Sequence, residues 1–166
     1  SGESPSVTCI ENSPTPMYLL VGVPLTTKRA LNIILSASNK AYSEPHTRMH
    51  YNFRAALDEK IPQEVVKPFV RAVLSGNASK AGELMRLNQE IYNRFFIPVC
   101  ESFRAPLIDN YLSVAQKHGS LGEKWTGAGG NGAFICLTDS EDARESLKKV
   151  LDRHSPVPIH FVYETL

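Results

Sequence analysis

The strongest limit on how this chain folds is a glycine-rich reversal between two strand-like runs. Gly122 to Thr126 is followed by Gly127-Ala128-Gly129-Gly130-Asn131-Gly132 and then by Ala133 to Leu137, so four of the six connecting residues are glycine. Glycine enters left-handed backbone at little cost, and successive N–H groups in such a turn can form a concavity that accepts an anion. A plain hairpin with glycine-filled turns uses the same residues, so composition leaves both readings open. No Gly-Lys-Ser/Thr follows at Walker A spacing, and the stretch does not open a helix as a dinucleotide fingerprint would.

The rest of the chain is arranged around that reversal. Met17 to Val23 reads as a buried strand ended by Pro24. Thr26 or Thr27 is placed to cap a helix whose inward residues are Leu31, Ile34 and Leu35. Ala41 to Tyr51 is polar and reads as a loop, with helix resuming at Asn52 to Leu57. Val65, Phe69 and Val73 repeat every four residues, Pro68 predicts a kink or a fresh start, and Gly76-Asn77 ends the helix. Next, Leu84, Leu87, Ile91 and Phe95 mark a buried stripe that stops at Pro98, and Ile108, Tyr111, Leu112 and Ala115 mark another between Pro106 and Gly119. Ser140 caps a last helix with Ala143, Leu147, Val150 and Leu151 inward, and Ile159, Phe161 and Tyr163 alternate in a closing strand. The pattern is α+β: a small, mainly antiparallel sheet with helices packed on one face.

At 166 residues the chain is one domain, residues 17–166, after a tail or linker remnant, residues 1–16, with four serines and three prolines. Eighteen basic against 17 acidic residues give no electrostatic reason to expect nucleic acid or a membrane surface, and no apolar run has the length to span a bilayer. Cys9, Cys100 and Cys136 are odd in number and lack metal-ligand spacing, which suits a reducing, cytoplasmic setting; no metal site and no catalytic residue is expected.

Strand, Lys124-Trp125-Thr126-Gly127-Ala128-Gly129-Gly130, strand and helix resembles the third motif of the GHMP kinases, which include galactokinase, homoserine kinase, mevalonate kinase and phosphomevalonate kinase. Gly82-Glu83-Leu84-Met85-Arg86-Leu87-Asn88-Gln89 is similar to the helix that precedes that motif. Within the family the likeness is nearest to the glucuronokinases, through Glu83 to Asn88, Arg94 with Phe95 and Phe96, and Lys124 to Gly130. The resemblance implies a ferredoxin-like carboxyl-terminal domain. In that family the loop that wraps ATP phosphates, Pro-x-x-x-Gly-Leu-x-Ser-Ser, and the acid beside the reacting hydroxyl lie in an amino-terminal domain. The resemblance therefore implies half of a kinase that uses ATP and Mg2+ to phosphorylate a sugar, glucuronate or a relative, at its anomeric hydroxyl. Alone, this half is expected to be inactive and to hold neither cofactor tightly. Its partners would be the amino-terminal domain and the small sugar. A non-catalytic binding or scaffolding module with the same fold stays open beside it.

On that reading Lys124, Thr126, Gly127, Ala128, Gly129 and Gly130 support the phosphate loop or nucleotide. Asn88, at the edge of its apolar stripe, faces the acceptor, while His46, Arg48 and Arg94 hold a carboxylate. Each has a bland counterpart: a solvated lysine at a strand end, a structurally bonded asparagine, and a polar loop.

Overall fold

The computed structural model describes residues 14–27, 31–127 and 129–166. Its strands are β1 (Tyr18–Pro24), β2 (Gly122–Thr126), β3 (Ala133–Thr138) and β4 (Ile159–Thr165), all antiparallel in the order β2-β3-β1-β4. A run of helices joins β1 to β2, and one helix joins β3 to β4. Together with the strand order, this is the split, ferredoxin-like arrangement. The α+β expectation holds.

The helices are α1 (Leu31–Ser43), α2 (Arg48–Ala55), α3 (Lys67–Leu74), α4 (Ala78–Ile91), α5 (Pro106–Lys117) and α6 (Glu141–His154). Their starts follow capping chemistry: the Asn77 carboxamide accepts from Lys80 N–H at 2.9 Å and the Ser140 hydroxyl from Ala143 N–H at 3.2 Å. Pro68 lies in the first turn of α3 yet starts no new helix: Val66 and Lys67 keep right-handed helical backbone, the Lys67 N–H bonds the Pro62 carbonyl, and the winding runs on unbroken from the π-helical stretch until Gly76 closes it at a φ of 67°. Two stretches are wound as π-helix, Ala56–Val66, which contains Pro62, and Tyr92–Phe96, which ends in an Ile97 N–H bond to the Tyr92 carbonyl.

The structure corrects two expectations on the amino-terminal side. Ala41 to Tyr51 is not a loop: α1 runs to Ser43, and α2 already begins at Arg48, with the Thr47 hydroxyl accepting from His50 N–H at 3.2 Å. In α1 only Ile34 and Ala41 are buried, whereas Leu31 and Leu35 are 55% and 49% exposed. The segment between the expected caps and α1, residues 28–30, lies outside the described residues, as do Cys9 and most of the amino-terminal tail.

Cross-strand partners share a face of the sheet. Leu20, Cys136, Phe134 and Trp125 face the larger core, which includes Ile108, Tyr111, Ala115, Leu147 and Leu151 from α5 and α6. Leu19, Ile135 and Leu137 look the other way, toward a smaller cluster with Val73, Leu84 and Met85. That second cluster exists because α4 wraps the free edge of β2. Gly82 lies so close that a Cβ there would stand 2.1 Å from the Leu121 carbonyl oxygen, and Gln89 Oε1 accepts from Trp125 N–H at 2.8 Å. The edge is thus covered. No helix among the described residues is long and apolar enough to cross a membrane.

Candidate functional site

The β2-β3 connection is held in left-handed backbone: Gly127, Gly129, Gly130 and Asn131 have φ of 60°, 71°, 63° and 61°. Asparagine is one of the few other residues that tolerate this region, so Asn131 continues the turn where a glycine would also fit. Two of the N–H groups are committed within the protein, Gly130 to the Phe103 carbonyl at 3.3 Å and Gly132 to the Gly129 carbonyl at 3.1 Å. Gly129 also packs closely, since a Cβ there would lie 2.6 Å from the Phe103 carbonyl oxygen and 2.8 Å from the Trp125 ring. Gly127 is the open side, with nothing within 4 Å of an added Cβ. Ala128 lies outside the described residues.

Trp125 is the anvil for this turn, and it is fixed at both ends. Its indole N–H donates to Asp109 Oδ1 at 3.0 Å and its backbone N–H to Gln89. Burial raises the Asp109 carboxyl above its usual range, an effect opposed by the indole bond and by Arg104.

Beside Gly127 the second face of the sheet opens into a groove of about 450 Å3. Leu19 and Ile135 form its floor, Ile61, Val65 and Phe69 one wall, and Leu84, Met85 and Tyr92 the other. Lys124, Thr126 and Asn88 supply its polar groups. The Lys124 ammonium donates to the Trp125 carbonyl at 2.7 Å and lies 6.0 Å from the Tyr92 ring centroid. No carboxylate among the described residues pairs with it, and burial lowers its pKa. Asn88 is 8% exposed, and its carboxamide has no hydrogen-bond partner among the described residues. Tyr92 stacks on Phe96 at 4.1 Å, and burial raises its phenol pKa.

The structure therefore divides the residues expected from sequence. Asn88, Lys124, Thr126 and Gly127 share the groove, with Gly129 and Gly130 in the turn beyond it. Arg48 and Arg94 come together elsewhere, in an open pocket of about 380 Å3 with Met49, Asn52, Phe95 and Pro98. His46 lines neither; its ring stands 3.7 Å from Glu44 and its backbone N–H donates to His50 Nδ1. Tyr92 was missed, although it lies one helical turn beyond Asn88 and a period-four count from that residue would have found it. Arg86 was also missed: it makes a double hydrogen bond to Glu123 at 2.7 and 3.1 Å, and this closed pair spans 37 residues of sequence.

Among known proteins, the family model described as GHMP kinases C terminal matches residues 69–156. That is over half of the chain, and the chain belongs to this family. Three solved structures illustrate the fold. Mevalonate kinase from L. major, in complex with R-mevalonate, is 19% identical with a TM-score of 0.69, over 92% of this chain and 43% of that one. Phosphomevalonate kinase from Streptococcus pneumoniae, in complex with phosphomevalonate and AMPPNP, is 16% identical with a TM-score of 0.65, over 93% and 41%. Homoserine kinase from Cytophaga hutchinsonii is 14% identical with a TM-score of 0.56, over 92% and 42%. The chain thus spans less than half the length of each of these kinases. A search of curated proteins finds no match.

Proposed function

We propose that this chain is the carboxyl-terminal part of an ATP-dependent small-molecule kinase that works with an amino-terminal domain of the same protein in the cytoplasm. One observation carries the reading: in a chain of this family, a left-handed glycine turn borders a groove that holds an uncompensated ammonium and an unpartnered amide. Phosphoryl transfer depends mainly on positioning and electrostatics.

ATP would supply the phosphoryl group and Mg2+ would offset phosphate charge when bound; the AMPPNP held by the Streptococcus pneumoniae enzyme supports a nucleotide here. The residues of this chain fit a supporting part. Gly130 and Gly132 use their N–H groups to set the shape of the turn, and Gly127 leaves its outer side free for a neighbouring loop. An adjoining domain is supported by Leu25, Leu31, Ile33 and Leu35, all large apolar side chains left exposed at one end of the chain. Free Cys100 and Cys136 suit a reducing setting.

For the acceptor, glucuronate or a related sugar draws its support from the pocket of Arg48 and Arg94, because guanidinium groups suit a carboxylate. Mevalonate, phosphomevalonate and homoserine draw theirs from the kinases of similar fold. The test is ADP release by the full-length protein with each of these four acceptors. Acceptor-dependent release above a no-acceptor control is expected from the full-length protein and none from this chain alone. A folded full-length protein that releases no ADP with any of the four would favour a binding module instead.

A further inference from the structure

We propose that His118 and His154, at the carboxyl-terminal ends of α5 and α6, form a binding site for a borderline divalent metal ion such as Zn2+, which clamps the two helices together. The site lies on the α5 and α6 side of the sheet, opposite the groove, and stands independently of the kinase reading.

The two rings close different helices, so no spacing in the sequence joins them. Their centroids are 6.0 Å apart, with the planes tilted by 42°. An imidazole nitrogen binds Zn2+ at about 2.0–2.1 Å, which sets the ion roughly 3.2 Å from the ring centre, and two rings sharing one ion then stand roughly 5–6.5 Å apart. The observed separation falls in that range. His154 is also oriented for the task, because its Nδ1 lies 2.8 Å from the Val150 carbonyl oxygen. A carbonyl can only accept, so Nδ1 carries the proton and the neutral ring keeps its lone pair on Nε2; metal-ligating histidines are held in the same way. The His118 ring has no hydrogen-bond partner among the described residues.

The scaffold beneath the pair is fixed before any ion arrives. The Tyr111 hydroxyl shares a 2.6 Å hydrogen bond with the Ser155 hydroxyl, which ties α5 to the residue just past α6, and Ala115 and Leu151 pack in one core. Both helices end at the pair, and their last carbonyls bring partial negative charge that favours a cation. Lys117 and Arg153 adjoin the two histidines in sequence, but both are exposed and screened by water and salt. No third histidine, cysteine or carboxylate completes a cluster among the described residues, so water fills the remaining positions on the ion. Imidazole rather than oxygen then selects it, which favours Zn2+ over Mg2+.

NMR titration of the 166-residue chain with zinc chloride, and separately with magnesium chloride, tests this. Zn2+ should give saturable shifts centred on the His118 and His154 rings and raise the unfolding temperature, since the two rings meet only in the folded chain; Mg2+ should do neither. His118→Gln and His154→Gln should each weaken Zn2+ binding at this site by at least about tenfold, the least that losing even a supporting bond to a metal ligand costs. Shifts centred on Cys100 or on His46 and His50, equal binding of Mg2+, parental affinity in either variant, or no saturable shift at all would overturn the proposal. The two titrations use the unaltered chain, so their outcome decides the matter even where a variant fails to fold.

Discussion

Lys124 sits half-buried among hydrocarbon with one carbonyl partner, whereas Arg48 and Arg94 stand in solvent at the rim of an open pocket. All three are cations near apolar side chains, and in sequence nothing ranks one above the others. The difference lies in the dielectric around them. In water a charge keeps its hydration and is screened within about 8–10 Å at ordinary ionic strength. Within a groove it loses hydration, so its pKa falls, and it interacts strongly with whatever anion enters. A cation that the fold has partly desolvated and left without a counter-ion carries more information about a ligand than two that the fold leaves wet.

The largest effect is expected at the turn that borders the groove. Gly129→Val puts a β-branched side chain at a φ of 71° and drives its Cβ into the Phe103 carbonyl and the Trp125 ring. Displacing Trp125 moves β2, and with it Lys124 and Thr126. Because small misplacements near reacting groups are costly, turnover of the full-length enzyme should fall about 100-fold. The control is Gly119→Ala, at a φ of 87° with nothing within 4 Å of the new Cβ. It should cost roughly 1–2 kcal/mol of stability through backbone strain alone and leave turnover unchanged. ADP release measured beside thermal unfolding separates the two. Near-normal turnover in Gly129→Val would reduce the turn to a hairpin connection and remove the groove's claim over the arginine pocket.

The regions also differ in how much of them could be read in advance. Both strands of the hairpin, the Pro106 to Gly119 helix and the Ser140 cap follow from local chemistry, and the structure places them as expected. Local signals failed where the answer lay in tertiary contacts. Leu31 and Leu35 obey helical spacing, but spacing reports a face and not what covers it. Nothing in the spacing of the Ser140 helix singles out Arg144, yet it is buried against the Tyr18 and Tyr163 rings, with its guanidinium 5.5 and 4.8 Å from their centroids. The groove itself joins residues from positions 19 to 135, so Lys124 and Asn88 could be nominated separately, but their shared desolvation could not.

A smaller effect sharpens the contrast through pH. Burial lowers the pKa of Lys124, so between that lowered value and the ordinary value of 10.5 the unfolded chain binds more protons than the folded one. Stability contributed by this site therefore rises with pH across that window. Lys124→Met should flatten the rise and, at neutral pH, add on the order of 1 kcal/mol by removing a half-buried charge that has no counter-ion. Urea unfolding at pH 7 and pH 10 measures both. A variant less stable than the parent at pH 7, or one with an unchanged slope, would mean that the ammonium is well solvated and that the two cationic regions do not differ.

The smallest expected effect belongs to the arginine pocket. Neither Arg48 nor Arg94 has an ion-pair partner among the described residues, and both are exposed, Arg94 resting over the Phe95 ring at 5.3 Å. Exposed charges of this kind contribute from nothing to about 1 kcal/mol. Replacing both, Arg48→Ala with Arg94→Ala, should therefore change the KM of the full-length enzyme for an aliphatic acid acceptor less than about twofold and leave unfolding nearly unaltered. The uronic acid reading predicts the opposite for its own substrate. If these guanidiniums clamp the carboxylate of glucuronate, losing both should raise its KM by about tenfold or more while kcat holds, because a contact made equally in ground and transition states is uniform binding. Measuring both acceptors on the double variant decides which region meets the substrate, since a large effect on glucuronate with none on the aliphatic acid would move the acceptor site out of the groove and onto the face of α2.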